Sequence, residues 1–148
     1  MTTCATDGKT LATDRQVTFT TPGGIRLAHA TQKLFPLEDN NCFQAAAFAG
    51  NTDYIYQVLM ALESNDYQAL DVEGEFEILL IDWLGGAWSV NKSMSPLEVD
   101  TPWATGSGGE IALGAIKAGA TAEEAVRIAS EVDLGTGKGI DVYEIIAL

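Results

Sequence analysis

The order of strand-like and helix-like segments constrains the fold of this chain more than any single motif. Short β-prone runs separated by turns fill about the first fifty residues, and one helical pattern follows them. More β-prone runs come next, and two helical patterns then precede a last strand. A doubly wound parallel sheet needs strands and helices that alternate. This order therefore predicts an α+β fold with antiparallel sheets covered by segregated helices.

Turn residues set the bounds of the predicted strands. Asp7-Gly8 separates two β-prone runs, residues 2–6 and 9–13, and is a strong hairpin signal. Pro22-Gly23-Gly24 marks a loop, and Gly85-Gly86 marks a second hairpin. Further strands are predicted at residues 33–35, 42–49, 76–80, 87–90, 103–105 and 140–146.

Three helices are predicted from apolar spacing and capping residues. Residues 52–62 carry apolar side chains at helical intervals, and small residues fill a second helix at 110–118. Thr121 and Glu124 match a capping box that opens a third helix ending near Asp133. Residues 64–74 are polar and indicate a connection without regular structure.

Composition bounds the class of protein and its partners. The chain has 148 residues, which predicts one domain over residues 1–148. Its formal net charge of −13 repels phosphate groups, so we expect no nucleic-acid and no membrane partner. With no secretory leader pattern, and with Cys4 and Cys42 interpreted as reduced, buried thiols, we expect a soluble, cytoplasmic protein. No pattern indicates a cofactor or a metal.

Several short motifs become specific when their order and spacing are taken together. They are Thr2-Thr3, Ala12-Thr13-Asp14-Arg15-Gln16-Val17-Thr18, Gln32-Lys33-Leu34-Phe35, Ala46-Ala47-Phe48-Ala49-Gly50, Ala104-Thr105-Gly106-Ser107-Gly108-Gly109, and Asp133-Leu134-Gly135-Thr136-Gly137 followed by Gly139-Ile140-Asp141-Val142-Tyr143. This set resembles the proteasome β subunits and the related bacterial heat-shock peptidase, which are N-terminal-nucleophile hydrolases. The resemblance implies a four-layer αββα sandwich of two antiparallel sheets. The polar 64–74 segment implies that the family's second long helix is shortened or absent.

The resemblance also implies a threonine peptidase. Removal of Met1 would expose Thr2, whose hydroxyl attacks a peptide carbonyl while its own α-amine serves as the base. An α-amine has an ordinary pKa of about 7.7 to 8.0, so it accepts a proton near neutral pH. No histidine is needed for this chemistry, and His29, the one histidine, lies outside every matched motif.

Further roles follow residue by residue from the same resemblance. Lys33 would favour the deprotonated hydroxyl, and Asp14 would hold Lys33 in its charged form. The side chains that surround the amine are those of Ser107, Asp133 and Thr136.

The remaining implied roles concern the substrate. The backbone N–H of Ala47, where the family usually has glycine, would donate to the oxyanion. Substrate would pair as an extended strand beside Thr18 and Ala47, and small Ala45 and Ala49 would admit a bulky apolar side chain. By resemblance, the chain would form a homo-oligomeric ring and receive peptide or unfolded protein from an AAA+ unfoldase.

Two other functions remain open from the sequence. A ring family can contain subunits that keep the fold and have no turnover, which makes a catalytically silent assembly subunit one alternative. The other is an amidase acting on a small molecule, because one fold supports several amide hydrolyses.

Overall fold

The fold consists of short strands in three antiparallel sheets and three helices. The computed structural model describes residues 2–39 and 41–147. The described strands are β1 Thr3–Thr6, β2 Thr10–Asp14, β3 Gln16–Thr20, β4 Arg26–Ala30, β5 Leu34–Pro36, β6 Phe43–Gly50, β7 Phe76–Asp82, β8 Ala87–Val90, β9 Leu97–Val99, β10 Trp103–Gly106 and β11 Ile140–Glu144. The helices are α1 Ile55–Glu63, which follows a 3₁₀ turn at Thr52–Tyr54, α2 Gly109–Lys117 and α3 Ala122–Val132.

Two larger sheets form the body of the fold. One has four strands in the order β10-β1-β2-β11, and the other has five in the order β5-β6-β7-β8-β9. Among the described residues, strands β3 and β4 pair only with each other, as a separate two-stranded sheet. All of these pairings are antiparallel, which confirms the predicted α+β class.

The helices and the two larger sheets pack together through three hydrophobic clusters of described residues. Helix α1 packs its Val58 and Leu62 against β6 and β7 of the five-stranded sheet. A second cluster joins Cys4 and Leu11 of the four-stranded sheet to the alanines of β6 and to Leu79. On the other face of the four-stranded sheet, Ala5 and Ala12 pack with small residues of α2 and α3. The β1–β2 pair is therefore buried on both faces.

The Asp7-Gly8 turn does more than close the first hairpin. Gly8 has a φ of +93°, which glycine adopts without strain. The Asp7 carboxylate accepts hydrogen bonds from the backbone N–H groups of Lys9 and Thr10, both at 2.8 Å, and from the first helical N–H of α3, on Ala122, at 2.9 Å. Burial acts to raise the pKa of Asp7, but these hydrogen bonds hold it below its ordinary value. The turn thus fixes both the hairpin and the start of α3.

Most predicted elements are confirmed, and the differences have physical causes. Strands β3, β4 and β9 were not predicted. Strands β3 and β4 pair with each other outside the two larger sheets and all of β4 is exposed, while β9 lies at a sheet edge, so the three strands show little buried face in their sequences. The strand predicted at residues 33–35 spans Leu34–Pro36 as β5, and Pro36 is accommodated because β5 is an edge strand that loses no ladder partner to a proline. Cys4 is buried as predicted, whereas the prediction for Cys42 was wrong, because its thiol is exposed.

No described helix is long and apolar enough to cross a lipid bilayer.

Candidate active site

A fully buried ion pair lies at the centre of the candidate site. The Lys33 ammonium donates to the Asp14 carboxylate at 2.8 Å, and both side chains have zero exposure. Lys33 also donates to Thr2 Oγ1 at 2.6 Å and to the Gln16 carbonyl at 2.8 Å. Because an ammonium has three hydrogens to donate, these contacts use all of them. Thr2 Oγ1 accepts in its contact with Lys33, so its own hydrogen points elsewhere.

Asp14 is held at the end of β2 by hydrogen bonds to both carboxylate oxygens. Oδ1 accepts from Lys33 and from the backbone N–H of Thr3 at 3.1 Å. Oδ2 accepts from the backbone N–H groups of Gln16 at 3.3 Å and Gly137 at 3.0 Å. A buried carboxylate needs such donors to offset its lost hydration. Asp14 therefore fixes the position of Lys33 and ties β1 to the 133–137 loop.

A second group of hydroxyls converges on Asp133. Its Oδ2 accepts from Ser107 Oγ at 2.5 Å and from Thr136 Oγ1 at 2.6 Å. Each hydroxyl has one hydrogen, and an ionised carboxylate has none, so both hydrogens point to Asp133. Ser107 Oγ thus presents its lone pairs to the Thr2 backbone nitrogen, which lies 3.3 Å away. An acceptor in this position can hold one N–H of a terminal amine.

The same hydrogen bonds keep Asp133 ionised. Burial acts to raise its pKa, but donation from Ser107, Thr136 and the backbone N–H of Gly135 holds the pKa of Asp133 below its ordinary value. A buried thiol nearby behaves in the opposite way: burial raises the pKa of Cys4 to about 12. Cys4 is therefore a thiol and not a nucleophile at neutral pH.

The lowered pKa of Asp133 predicts a pH-dependent stability. Its contribution is fully present above the ordinary aspartate pKa of about 3.9 and is lost as the pH falls through the lower folded value. We expect Asp133→Asn to lower the free energy of unfolding more at pH 7 than at pH 3 in urea titrations. The matched control is the exposed Asp71→Asn. If the difference in unfolding free energy between wild type and Asp133→Asn instead grows on acidification, the lowered pKa assigned to Asp133 would be contradicted.

Ala47 lies beside the ion pair but on a different strand. In β6 it pairs with Leu34, and the next backbone N–H, on Phe48, donates to the Lys33 carbonyl at 2.9 Å. Ala47 is not among the residues with positive φ, so this position does not require glycine. Alanine is therefore compatible with the backbone at the position where the resemblance implies an oxyanion donor.

The three residues predicted to contact substrate lie in different environments. Thr18 is half-buried on β3, accepts from the Gln16 amide at 3.2 Å, and lines a cleft of about 300 Å³ bounded by residues 50–53. Ala45 and Ala49 both pack in the cluster between the two large sheets, with exposures of 0% and 5%. Only Ala49 of this pair also lines a described cleft, one of about 660 Å³ that includes Trp103 and Gly106.

The structure thus brings six predicted residues into one hydrogen-bonded group: Thr2, Asp14, Lys33, Ser107, Asp133 and Thr136. The other four predicted residues lie on strands beside this group: Thr18 is on β3, and Ala45, Ala47 and Ala49 are on β6. Met1, whose removal is expected from the sequence, lies outside the described residues. No group of three or more His, Cys, Asp or Glu side chains within residues 2–39 and 41–147 is arranged to hold a metal ion.

Three residues of the site had no role assigned from the sequence. Thr3 Oγ1 lies 2.7 Å from Thr136 Oγ1, and the Gln16 carbonyl accepts from Lys33. Gly108 leaves room for these contacts, since a Cβ there would lie 2.2 Å from Thr3 Oγ1. All three lie within the motifs of the sequence analysis, but no local pattern there indicates contacts between residues so far apart in the chain.

Comparison with solved structures identifies the fold. The structure of eukaryotic HslV from Trypanosoma brucei superposes with a TM-score of 0.71 and 20% identity, over 98% of each chain. Thiobacillus denitrificans BPH in complex with epoxomicin gives 0.65 and 16%, and BPH alone gives 0.62 and 18%; each covers 99% of this chain and 98% of that one. No protein-family model and no curated protein sequence matches the chain.

These matches confirm the resemblance predicted from the motifs at the level of fold. HslV and BPH are proteasome-like N-terminal-nucleophile hydrolases, and the likeness extends over nearly the whole chain. At 16% to 20% identity it establishes the fold alone.

Proposed function

We propose that this chain is a threonine peptidase subunit that uses Thr2 as an N-terminal nucleophile. In this proposal residues 1–148 form one αββα domain of the N-terminal-nucleophile type, with the second long helix shortened or absent. The observation that carries the proposal is the fully buried Lys33 ammonium, 2.6 Å from Thr2 Oγ1 and paired with Asp14. Burial of an ion pair costs desolvation free energy. Activation of the Thr2 hydroxyl is a function that would account for the presence of such a pair here.

Activation of Thr2 begins with removal of Met1, which converts the Thr2 nitrogen from an amide to an amine. The amine takes the proton of Thr2 Oγ1, and the oxygen attacks the carbonyl carbon of the substrate. Lys33 favours this transfer because its positive charge stabilises the negative charge that develops on Oγ1. Ser107 Oγ accepts one N–H of the amine and leaves the amine lone pair for the proton.

Breakdown of the tetrahedral intermediate needs an oxyanion donor and a proton for the leaving amine. The backbone N–H of Ala47 is the proposed donor to the oxyanion. The protonated Thr2 amine gives its proton to the departing nitrogen, and the C–N bond breaks to leave an ester on Thr2. Water then attacks this ester, with the amine again serving as base, and the acid product leaves.

The substrate is a peptide or an unfolded protein in an extended conformation. The cleft of about 300 Å³ beside Thr18 separates β3 from the turn after β6. A peptide entering it would pair as an extended strand beside Thr18 and Ala47, as in strand addition. A bulky apolar side chain is the proposed specificity. Ala49 would lie at the base of its pocket, and the small, fully buried Ala45 would contribute only by leaving space behind Ala49.

Assembly and location are part of the same proposal. We place the protein in the cytoplasm as a homo-oligomeric ring that accepts substrate from an AAA+ unfoldase. Exposed apolar side chains on the β3–β4 hairpin, Phe19, Ile25 and Leu27, support an assembled state.

A silent assembly subunit and a small-molecule amidase share this fold and are the alternatives. Protein beginning at Thr2, released from a fusion cleaved immediately before that residue, decides among the three functions. It would be assayed on tetrapeptide coumarin amides and on short N-acyl amides. Thr2→Ser serves as the matched variant that keeps a hydroxyl, and Thr2→Ala as the one that removes it.

We expect hydrolysis of peptides by wild type, slower hydrolysis by Thr2→Ser, and a loss of more than about 10³-fold in Thr2→Ala. Hydrolysis of the small amides alone would favour the amidase. No turnover of either substrate class by an assembled protein that begins at Thr2 would favour the silent subunit.

A further inference from the structure

Thr3 is the residue of β1 that contacts both halves of the candidate site. Its backbone N–H donates to Asp14 Oδ1, the oxygen that also accepts from Lys33. Its hydroxyl lies 2.7 Å from Thr136 Oγ1, in the group that converges on Asp133. Thr3 is fully buried. The residue next to the proposed nucleophile therefore joins the ion pair to the hydroxyl group around the amine.

The direction of the Thr3 hydrogen bond follows from counting hydrogens. Thr136 has one hydroxyl hydrogen, and it points to the Asp133 carboxylate at 2.6 Å. In the 2.7 Å contact with Thr3, Thr136 must then accept, so Thr3 is the donor. Donation to Thr136 polarises its hydroxyl and strengthens its own donation to Asp133, because hydrogen bonds in a chain reinforce one another.

The packing around Thr3 supports a specific role for its hydroxyl. A Cβ on Gly108 would lie 2.2 Å from Thr3 Oγ1 and 3.2 Å from Thr136 Oγ1. The glycine at the N-cap of α2 thus leaves space for the Thr3 hydroxyl, and a side chain there would displace it; the Ala129 methyl, at 3.0 Å from the added Cβ, closes the same space.

We propose that Thr3 is a positioning residue that sets the basicity of the Thr2 amine through Thr136 and Asp133. This inference rests on the proposed function, since it assigns that amine the role of base. Three charged groups are hydrogen-bonded to Thr2 or to its direct partners: the Lys33 ammonium contacts Thr2 Oγ1, the Asp14 carboxylate contacts Lys33, and the Asp133 carboxylate contacts Ser107, the partner of the Thr2 nitrogen. Thr3 acts on the last of these: when Asp133 receives less hydrogen bonding, its negative charge stabilises the ammonium form of the amine more strongly.

The test is a direct titration of the Thr2 amine that does not depend on turnover. Protein labelled with ¹³C,¹⁵N-threonine and released by cleavage before Thr2 would be titrated by NMR, following the Thr2 Cα shift. Thr3→Val removes the hydroxyl and keeps the side-chain shape. Thr3→Ser keeps the hydroxyl, and Thr3→Ala is used if the valine variant does not fold. Thr13→Val, a buried threonine on the neighbouring strand, controls for loss of any buried hydroxyl.

We expect the amine pKa to rise by about 0.5 in Thr3→Val, and kcat at pH 7 to fall about threefold, in proportion to the lost fraction of free amine, with little change in KM. Thr3→Ser and Thr13→Val should leave the amine pKa where it is in wild type. An unchanged pKa in Thr3→Val, or an equal shift in either control, would overturn the role of the Thr3 hydroxyl. Failure of the proposed function would look different: the amine would titrate with this dependence on Thr3, but no peptide would be cleaved.

Discussion

Lys33→Met is expected to abolish peptide hydrolysis and to destabilise the fold. The substitution removes the ammonium that contacts Thr2 Oγ1 and leaves the Asp14 carboxylate buried without its ionic partner. Breaking a buried pair from one side typically costs about 3–5 kcal/mol of unfolding free energy. We expect turnover to fall by more than about 10³-fold. Urea unfolding and the peptide assay measure the two effects separately.

The double variant Lys33→Met with Asp14→Asn separates stability from catalysis. Asparagine removes the unpaired charge while its carbonyl still accepts from a backbone donor. The double variant should therefore recover part of the lost stability and none of the activity. The assigned role of this pair would be contradicted if Lys33→Met had the same free energy of unfolding as wild type. It would also be contradicted if the double variant cleaved peptides.

Gly106→Ala is expected to be the most damaging glycine substitution near the site. Gly106 has a φ of +95°, and an added Cβ would lie 2.0 Å from the carbonyl oxygen of Thr2. The contact is with backbone, so relief requires the backbone of Thr2 or of Gly106 to move. The combined clash and backbone strain should lower the unfolding free energy by more than about 3 kcal/mol.

Two other glycines supply matched controls for Gly106→Ala. Gly24 also has a positive φ, +83°, but nothing lies within 4 Å of its added Cβ, so Gly24→Ala should cost about 1 kcal/mol. Gly114, in helix α2, has open space and no left-handed φ, so Gly114→Ala should stabilise the protein by about 1 kcal/mol. If Gly106→Ala lowers the free energy of unfolding in urea by no more than Gly24→Ala does, Gly106 does not lie as close to the Thr2 carbonyl as described.

Elements with a local cause were predictable from the sequence. Asp7-Gly8 predicted the β1–β2 hairpin because the turn residues set the pairing, and Thr121 with Glu124 predicted the start of α3. Strand β4 was not predicted because its partner is only β3 and all its side chains are exposed, so its sequence has no alternation of apolar and polar residues. Exposure of Cys42 likewise depends on the neighbours of β6, which the local sequence does not specify.

The candidate site was predictable as a set of residues but not as a network. The motifs predicted that Thr2, Lys33 and Ser107 belong together, and the structure brings them together. The link from Thr3 to Thr136 spans 133 positions in sequence and depends on the direction of two hydroxyls. Such a contact has no local signal, because it exists only when β1, α2 and the 133–137 loop pack against one another.

Intact-mass spectrometry of the purified protein, before and after incubation with epoxomicin, tests the central claim most directly. Epoxomicin is a peptide epoxyketone that reacts with both the hydroxyl and the amine of a terminal threonine, and it is bound in the solved BPH complex. We predict a protein mass that lacks Met1 and gains one inhibitor, with no gain in Thr2→Ala. A protein that retains Met1 and gains no inhibitor would contradict a catalytic Thr2 and favour a silent subunit.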